Sequence, residues 1–243
     1  MESPPPITDE QRRWFAEELQ RAKLDAMKEL AYGASHEINN PLANIALRAQ
    51  TMLKREDDAD KRKALEAMHR AAMRAHEMIS DLMLFARPPK LERQPIDLAQ
   101  VAETVVEELA PRAEELAIEV RVSKVSAPVS ADPDQLAVAL RAVVENSFDA
   151  LGQGGEVAIE SEGVNGDAYL RVHDNGPGVP EAIRPHVFDP FFSGREAGRG
   201  LGFGLPKCWR IVTDHGGDVR LDSGPAGGVT VTIRLPAVAD DHA

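Results

Sequence analysis

Apolar positions follow a helical period through the first third of the chain. Residues 9–55 contain no cluster of glycines and are rich in Glu, Leu, Ala, Lys and Arg, which predicts one long helix. A polar break at 56–60 precedes a second predicted helix, which ends near Ala86 because Pro88 and Pro89 follow. Apolar residues of this second helix alternate at spacings of three and four, as in a heptad seam: Leu65, Met68, Ala72, Ala75, Ile79 and Leu82.

Two amphipathic helices of this kind bury little apolar surface by themselves. They bury their seams best against a second copy of the hairpin, which predicts a homodimer built around a four-helix bundle. The alternative is that the seam packs against the second half of the same chain.

The pattern changes after residue 95 to a mixture of short alternating segments and helical segments. Helices are predicted at 98–116, 133–151 and 201–215, and strands at 118–122, 156–163, 168–174, 218–223 and 229–235. A glycine-rich loop occupies 175–200. This order predicts an α/β sandwich in which helices cover one face of a single sheet.

These patterns divide the chain into segments. Residues 1–20 form an N-terminal lead that runs into the start of a signalling helix, and 21–90 form the helical hairpin. Residues 91–95 are a linker, 96–237 form the α/β domain, and 238–243 are a tail.

Composition narrows the classes of function. The 243 residues carry a formal net charge of −12 and no dense Lys/Arg run, which argues against a general nucleic-acid binder and against docking on an anionic membrane. No apolar run is long enough for a membrane-spanning helix, so we expect no membrane contact from this segment and a cytoplasmic location. The single cysteine, Cys208, lies in an apolar helical pattern and is expected in the core.

His36 is the first candidate for chemistry. At about 100° per residue it lies roughly 180° from the centre of an apolar stripe on the long helix, made of Leu30, Ala34, Ile38, Leu42, Ile45, Ala49 and Met52. Asn40 lies one turn later on the face of His36, and Glu37 is adjacent. A neutral imidazole is a good nucleophile when a carboxylate takes up its proton, although an exposed histidine is usually an ordinary surface residue.

The second candidate site is spread over four segments of the α/β domain. The first, 145–150, contains Glu145, Asn146 and Asp149 within a predicted helix. In the second, Asp174 ends a strand and is followed by Gly176 and Gly178, which allow close approach of the backbone. Taken alone, this second segment reads as a turn at the end of a strand.

The other two segments surround a predicted lid at 193–199. Phe188 belongs to an aromatic segment, 188–192, that could also be a plug of core residues. After the lid come glycines that precede a helix and leave amides available to phosphate oxygens, in the run Arg199, Gly200, Leu201, Gly202, Phe203 and Gly204. A lone glycine-rich loop is weak evidence for a phosphate site.

In combination and in this order, the segments resemble the H, N, G1, F and G2 boxes of sensor histidine kinases. The resemblance covers about residues 20–236 and implies the histidine kinase type of ATPase fold, shared with DNA gyrase B, MutL and heat-shock chaperones. It implies that His36 is phosphorylated, that Glu37 assists as base, and that Asn40 positions water for dephosphorylation of a partner.

The resemblance also implies ligands and partners. ATP would bind the α/β domain, with the adenine amino group on Asp174 and Mg²⁺ on Asn146, flanked by Glu145 and Asp149. Arg199 is either a clamp on the γ-phosphate or a solvated lid residue. The implied activity is ATP-dependent autophosphorylation of His36, followed by transfer to an Asp of a response regulator receiver domain.

Some positions depart from the family pattern. Ala142 stands where Asn or His is common, and Arg199 stands where Thr is common. Pro206 and Trp209 are also less typical of the helix that follows the G2 box. At Ala142 a supporting phosphate or metal contact of the family would be missing.

Two other functions compete with the kinase hypothesis. An ATPase of the same fold could work by conformational cycling, but this reading leaves the segment around His36 unexplained. A regulator that mainly binds or dephosphorylates a response regulator would keep Asn40 in use without net kinase output.

Overall fold

The computed structural model describes residues 8–123, 125–192, 202–224 and 227–237. Between residues 9 and 36 the backbone is described throughout and the side chains only in part. The chain divides into two compact units, Met1–Pro88 and Pro89–Ala243. Among the described residues, no helix is long and apolar enough to cross a membrane.

The first unit is a hairpin of two helices, α1 (Asp9–Leu53) and α2 (Ala59–Ala86). Its turn falls in the predicted polar break. There the carboxylate of Asp58 accepts hydrogen bonds from the backbone amides of Asp60 and Lys61, and so caps α2. The two predicted helices of this unit are therefore confirmed.

Packing within the hairpin differs from the predicted stripe on α1. Ala46 and Ala49 are buried on α1, while Ile38, Ile45 and Met52 remain 40%, 48% and 57% exposed. Small side chains let the two helices approach closely, so the larger apolar residues of the stripe lie outside the contact within one chain. On α2 the predicted seam is divided similarly, since Leu65, Ala72 and Leu82 are buried and Met68 is 56% exposed.

The second unit contains three helices over a sheet. Its helices are α3 (Leu98–Glu115), α4 (Pro133–Leu151) and α5 (Gly204–Asp214). Its strands are β1 (Gln94–Asp97), β2 (Glu119–Val122), β3 (Pro128–Ala131), β4 (Glu156–Val164), β5 (Asp167–Asp174), β6 (Asp218–Gly224) and β7 (Gly227–Pro236). A 3₁₀ helix spans Glu181–His186.

The main sheet has the strand order β2-β4-β5-β7-β6, and only the β2–β4 pair is parallel. Alternate residues of β4, β5 and β7 are buried, so one face of the sheet forms the core beneath the helices. Helix α4 contacts both α3 and α5. The predicted α/β sandwich is confirmed.

Sequence patterns missed three short elements. Strands β1 and β3 pair with each other in a separate two-stranded sheet, and β1 begins inside the predicted linker. Four-residue strands such as these carry too few alternations to be distinguished from loop. The 3₁₀ helix lies in what was predicted as loop, and α5 begins at Gly204, three residues after the predicted start.

Candidate functional site

Asp174 is the last residue of β5 and is almost completely buried, with 2% of its surface exposed. The Ser147 hydroxyl donates to its Oδ2 over 2.9 Å, and the Gly176 amide donates to its Oδ1 over 3.0 Å. Each carboxylate oxygen has more than one acceptor position, so each can accept a further hydrogen bond. The carboxylate is therefore held in one orientation while it can still receive a donor from a ligand.

Ser147 was not singled out as a site residue by sequence reasoning. It is buried on the face of α4 that meets the sheet, and its partner Asp174 is 27 residues away along the chain. The only sequence signal was a serine within an apolar helical face. This signal does not predict which residue the serine contacts.

Two glycines after β5 stand where a Cβ atom would lie too close to neighbouring atoms. A Cβ atom at Gly176 would lie 2.9 Å from Oδ1 of Asp174. Gly178 has a φ of +80°, and a Cβ atom there would lie 2.8 Å from the Ser223 hydroxyl oxygen. Both glycines thus allow the backbone to pass close to other groups of the protein at the edge of the site, while its approach to a base stays a prediction.

Glu145 and Asp149 lie on a different side of α4 from Ser147. Both carboxylates pair with Arg112 of α3, at 3.2 Å and 2.6 Å. Positions 145 and 149 lie one turn apart, and each is about 200° around the helix from position 147. The structure therefore does not bring these two acids together with Asp174.

Asn146 is half-buried on α4, directly before Ser147. Among the described residues, no three His, Cys, Asp or Glu side chains come together in the way that metal ligands do. The side chain of Asn146 carries an amide oxygen, a type of ligand that Mg²⁺ accepts together with waters and substrate phosphates.

Aromatic residues lie on both sides of the predicted lid. Phe188 is half-buried just after the 3₁₀ helix. The rings of Phe191 and Phe203 meet edge to face with centroids 4.8 Å apart. Gly202 has a φ of +70°, and a Cβ atom there would overlap the Phe192 carbonyl.

Of the predicted glycine segment after the lid, Gly202, Phe203 and Gly204 lie among the described residues. Gly204 is the first residue of α5. Arg199, Gly200 and Leu201 lie outside the described residues, as does the whole of the predicted lid at 193–199. Pro206 falls in the first turn, where a backbone amide has no partner within the helix, which accounts for its tolerance there.

Cys208 is completely buried, and this burial raises the pKa of its thiol to about 12. The thiol is a core group, as predicted, and stays protonated at neutral pH.

The phosphoacceptor candidate lies in the other unit. The backbone of His36 is part of α1, while its side chain is outside the described set. Glu37 and Asn40 are both exposed. Pro41 inside the helix has no amide to offer the Glu37 carbonyl, which removes one helical hydrogen bond next to His36.

A contact not foreseen from the sequence links the two helices close to His36. The Nδ1 atom of His76 on α2 lies 3.0 Å from Oδ1 of Asn39 on α1. It joins the helices within one turn of His36.

Comparison with known proteins agrees with both units. A family model described as "His Kinase A (phospho-acceptor) domain" matches residues 26–90. A second, described as "Histidine kinase-, DNA gyrase B-, and HSP90-like ATPase", matches residues 131–239.

Curated relatives and a solved structure match most of the chain. Sensor protein kinase PmrB of Pseudomonas aeruginosa is 33% identical over 228 residues, which are 91% of this chain and 48% of the relative. Sensory histidine kinase/phosphatase NtrB of Escherichia coli O157:H7 is 31% identical over 242 residues, which are 94% of this chain and 67% of the relative. The crystal structure of full-length ShkA in complex with AMPPNP has a TM-score of 0.75 and 25% identity, and covers 87% of this chain and 46% of that one.

The chain spans about half the length of PmrB and of ShkA and 67% of NtrB. The matches nevertheless include both the hairpin and the α/β domain, in the order seen in the structure. On this evidence the chain belongs to the family of sensor histidine kinases.

Proposed function

We propose that the second unit binds ATP with its adenine at Asp174. A carboxylate fixed by Ser147 and Gly176 can accept a hydrogen bond from the adenine amino group. Guanine presents a carbonyl oxygen at the same ring position and would face a second acceptor. ShkA, which has the same fold, was crystallised with the ATP analogue AMPPNP, which supports this assignment.

The phosphates would extend from Asp174 towards the N-terminus of α5. The N-cap residue of this helix, Phe203, has a side chain that cannot accept a hydrogen bond from the helix amides. The amide groups at this helix end and the positive end of the helix dipole favour an anion. Gly202 and Gly204 allow close approach of phosphate oxygens, and Arg199 and Gly200 belong to the same proposed contact. Phe188 would anchor the base of the lid.

Mg²⁺ would bind at the amide oxygen of Asn146 and would neutralise charge on the phosphates. We assign it no contact with Glu145 or Asp149, because both carboxylates are engaged by Arg112.

The phosphoryl acceptor would be His36. A ring nitrogen of His36 forms a bond to the γ-phosphorus as the bond from that phosphorus to the β-phosphate oxygen breaks, and ADP leaves. Glu37, exposed beside His36, would receive the ring proton. Catalysis then consists of positioning and charge neutralisation, as in other phosphoryl transfers.

One observation carries this proposal: the same chain contains an α1–α2 hairpin with His36 and a separate α/β unit built around the buried Asp174. An ATPase that works by conformational cycling needs the second unit and has no use for the first. Family membership supports the kinase over that alternative.

The partners follow from the same proposal. The phosphoryl group would pass from His36 to an aspartate of a response regulator receiver domain that docks on the hairpin. The row of exposed apolar residues on α1, Ile38, Ile45 and Met52, would pack against a second copy. The segment would act in the cytoplasm, where ATP and receiver domains are available.

Incubation with γ-labelled ATP tests the central step. Wild-type protein should acquire a label that is stable in base and labile in acid, and His36→Gln should acquire none. Calorimetry should show near-normal ATP binding by His36→Gln, because the two sites lie in different units. Label that persists in this variant would refute the assignment of His36.

A second activity, dephosphorylation of the response regulator, is favoured by Asn40. Its side chain is exposed one turn after His36, where an amide could orient an attacking water. The relative NtrB is named as both kinase and phosphatase. Asn40→Ala should spare autophosphorylation and slow dephosphorylation of a phosphorylated receiver domain. An equal fall in both activities would make Asn40 a structural residue.

A further inference from the structure

The loop after β5, Gly176–Val179, is bonded to the strand pair β6–β7. The Gly228 amide donates to the Gly176 carbonyl over 2.7 Å. The Val179 amide donates to the Ser223 hydroxyl oxygen over 2.9 Å, and this hydroxyl donates to the Gly228 carbonyl over 2.9 Å. Ser223 therefore connects the loop to β7 through one oxygen atom, an arrangement we term the Ser223 bridge.

The contact between Ser223 and the loop joins two strands, β6 and β5, that are not neighbours in the sheet. In the sheet β7 lies between β5 and β6, so a side chain of β6 must reach past the end of β7 to touch the loop after β5. Gly227 and Gly228 occupy that end of β7 and have no side chains to obstruct it. The pairing of β6 with β7 is irregular between Ser223 and Gly224, and irregularities of this kind re-aim side chains.

The loop is fitted closely around the hydroxyl group. A Cβ atom at Gly178 would lie 2.8 Å from the Ser223 oxygen, and one at Gly227 would lie 2.9 Å from the Gly176 carbonyl oxygen. Glycine at both positions brings the two backbones together with Ser223 between them. Without the hydroxyl, the Val179 amide and the Gly228 carbonyl would each lose a hydrogen-bond partner.

We propose that Ser223 is a positioning residue for nucleotide binding, which holds the Gly176–Val179 loop in the conformation that receives the adenine. The inference rests on the proposed function, because it assigns the purine to Asp174 at the start of this loop. Both hydrogen bonds of the Ser223 hydroxyl described above are made with backbone groups. Ser223 orders the loop in the nucleotide-free protein. ATP binding then does not include the entropic cost of ordering the loop.

Variants of the full 243-residue chain test the inference. Ser223→Ala should raise the KM for ATP about three- to tenfold, and leave kcat at saturating ATP within about twofold, since no reacting atom is touched. In the nucleotide-free protein, the Val179 amide should exchange with solvent about tenfold faster by NMR. Ser223→Thr keeps the hydroxyl and should restore both values.

Ser161→Ala is the matched control. Ser161 is buried, whereas Ser223 is half-buried, and the Ser161 hydroxyl likewise donates to a backbone carbonyl, that of Val125. It lies on β4 opposite Leu170, several residues from the end of the sheet that carries Asp174. This variant should leave the KM for ATP and the Val179 exchange rate unchanged.

The outcomes separate the inference from the proposed function. Unchanged KM and unchanged Val179 exchange in Ser223→Ala would overturn the inference alone, and so would equal losses in Ser161→Ala. A fall in kcat at constant KM would also overturn it, because positioning of the adenine loop acts on binding. A wild-type chain that binds no ATP would overturn the proposed function and the inference with it.

Discussion

The carboxylate of Asp174 carries the chemical selectivity proposed for this protein. It is buried, and its two oxygens already accept one hydrogen bond each from Ser147 and Gly176. A buried acceptor with this geometry binds a hydrogen-bond donor favourably and a second acceptor unfavourably, because a mismatched buried polar group costs about 1–3 kcal/mol. Asn146, one residue before Ser147, is proposed to act on the metal and not on the base.

Substitutions of Asp174 and of Asn146 should therefore weaken ATP binding in different ways. Asp174→Asn keeps the shape but turns one acceptor into a donor, so ATP and ADP should both bind about ten- to a hundredfold more weakly, with or without Mg²⁺. Asn146→Ala should chiefly remove the part of ATP binding that depends on Mg²⁺, and the labelling of His36. Calorimetry with Mg²⁺ and with a chelator measures both effects.

Equal losses in the two variants, independent of metal, would contradict the assignment of Asn146. Glu145→Gln adds a third comparison on the same helix. The Glu145 carboxylate pairs with Arg112, so this variant should keep the Mg²⁺-dependent part of ATP binding. Loss of the Mg²⁺-dependent part of ATP binding in Glu145→Gln would identify Glu145 as a metal ligand.

At the scale of elements, Asp132 joins three parts of the second unit. It caps α4 by accepting from the Gln135 amide over 3.1 Å, and it accepts from the Glu92 amide over 3.0 Å in the segment before β1. Its own amide donates to Nε2 of His215 just after α5, over 3.0 Å. Since that amide can only donate, the His215 proton resides on Nδ1, which donates to the Ile211 carbonyl.

The ionised Asp132 should stabilise the second unit in a pH-dependent way. Burial raises the pKa of this carboxyl, but the hydrogen bonds from Glu92 and Gln135 outweigh it and hold the pKa below its ordinary value of 3.8. A lowered pKa in the folded state gives stability that is complete above the unfolded pKa and is lost as pH falls through the folded one. Asp132→Asn should cost about 1–3 kcal/mol at pH 7, because its NH₂ group faces donors.

Urea unfolding of both proteins as the pH is lowered from 7 towards 3 measures this difference, which should shrink below pH ~4. Asp218→Asn is a suitable comparison, because Asp218 pairs with Arg220 at the surface and should contribute less than about 1 kcal/mol. A constant difference between wild type and Asp132→Asn across the whole range would show that the charge of Asp132 is not what stabilises the unit.

At the scale of the whole molecule, the hairpin leaves a row of apolar side chains without cover inside one chain. Ile38, Ile45 and Met52 are spaced by seven residues on α1 and are all exposed, as is Met68 on α2. A spacing of seven keeps them on one side of the helix, which is the pattern of a helix–helix interface. We therefore expect the apolar surface of one chain to be completed by the same surface of another.

Ile45→Glu should convert the dimer to a monomer, because the charge would be buried between two copies. Light scattering of the full chain measures this, and residues 1–95 alone should dimerise and remain helical by circular dichroism. Leu47→Glu is the matched control, because Leu47 is 61% exposed and lies about 200° around α1 from position 45. A wild-type chain that is monomeric, or equal effects of the two variants, would contradict the bundle.

Local sequence patterns were sufficient to predict most of the helices and strands. Periodicity and caps predicted α1, α2, α3, α4 and the long strands, because these signals depend on neighbours three or four residues away. The resemblance then assigned roles to His36 and Asp174, which no local pattern could have done.

What only the tertiary structure decided is which group each side chain meets. Glu145 and Asp149 were grouped with Asn146 from their adjacency in sequence, yet the fold pairs both with Arg112 on another helix. Ser147 and Ser223 gained their partners from the way α4 and β6 lie against the end of β5, over 27 and 44 residues. Sequence fixes the period of an element and so its faces, but contacts between distant segments depend on strand order and helix packing, which no single segment contains.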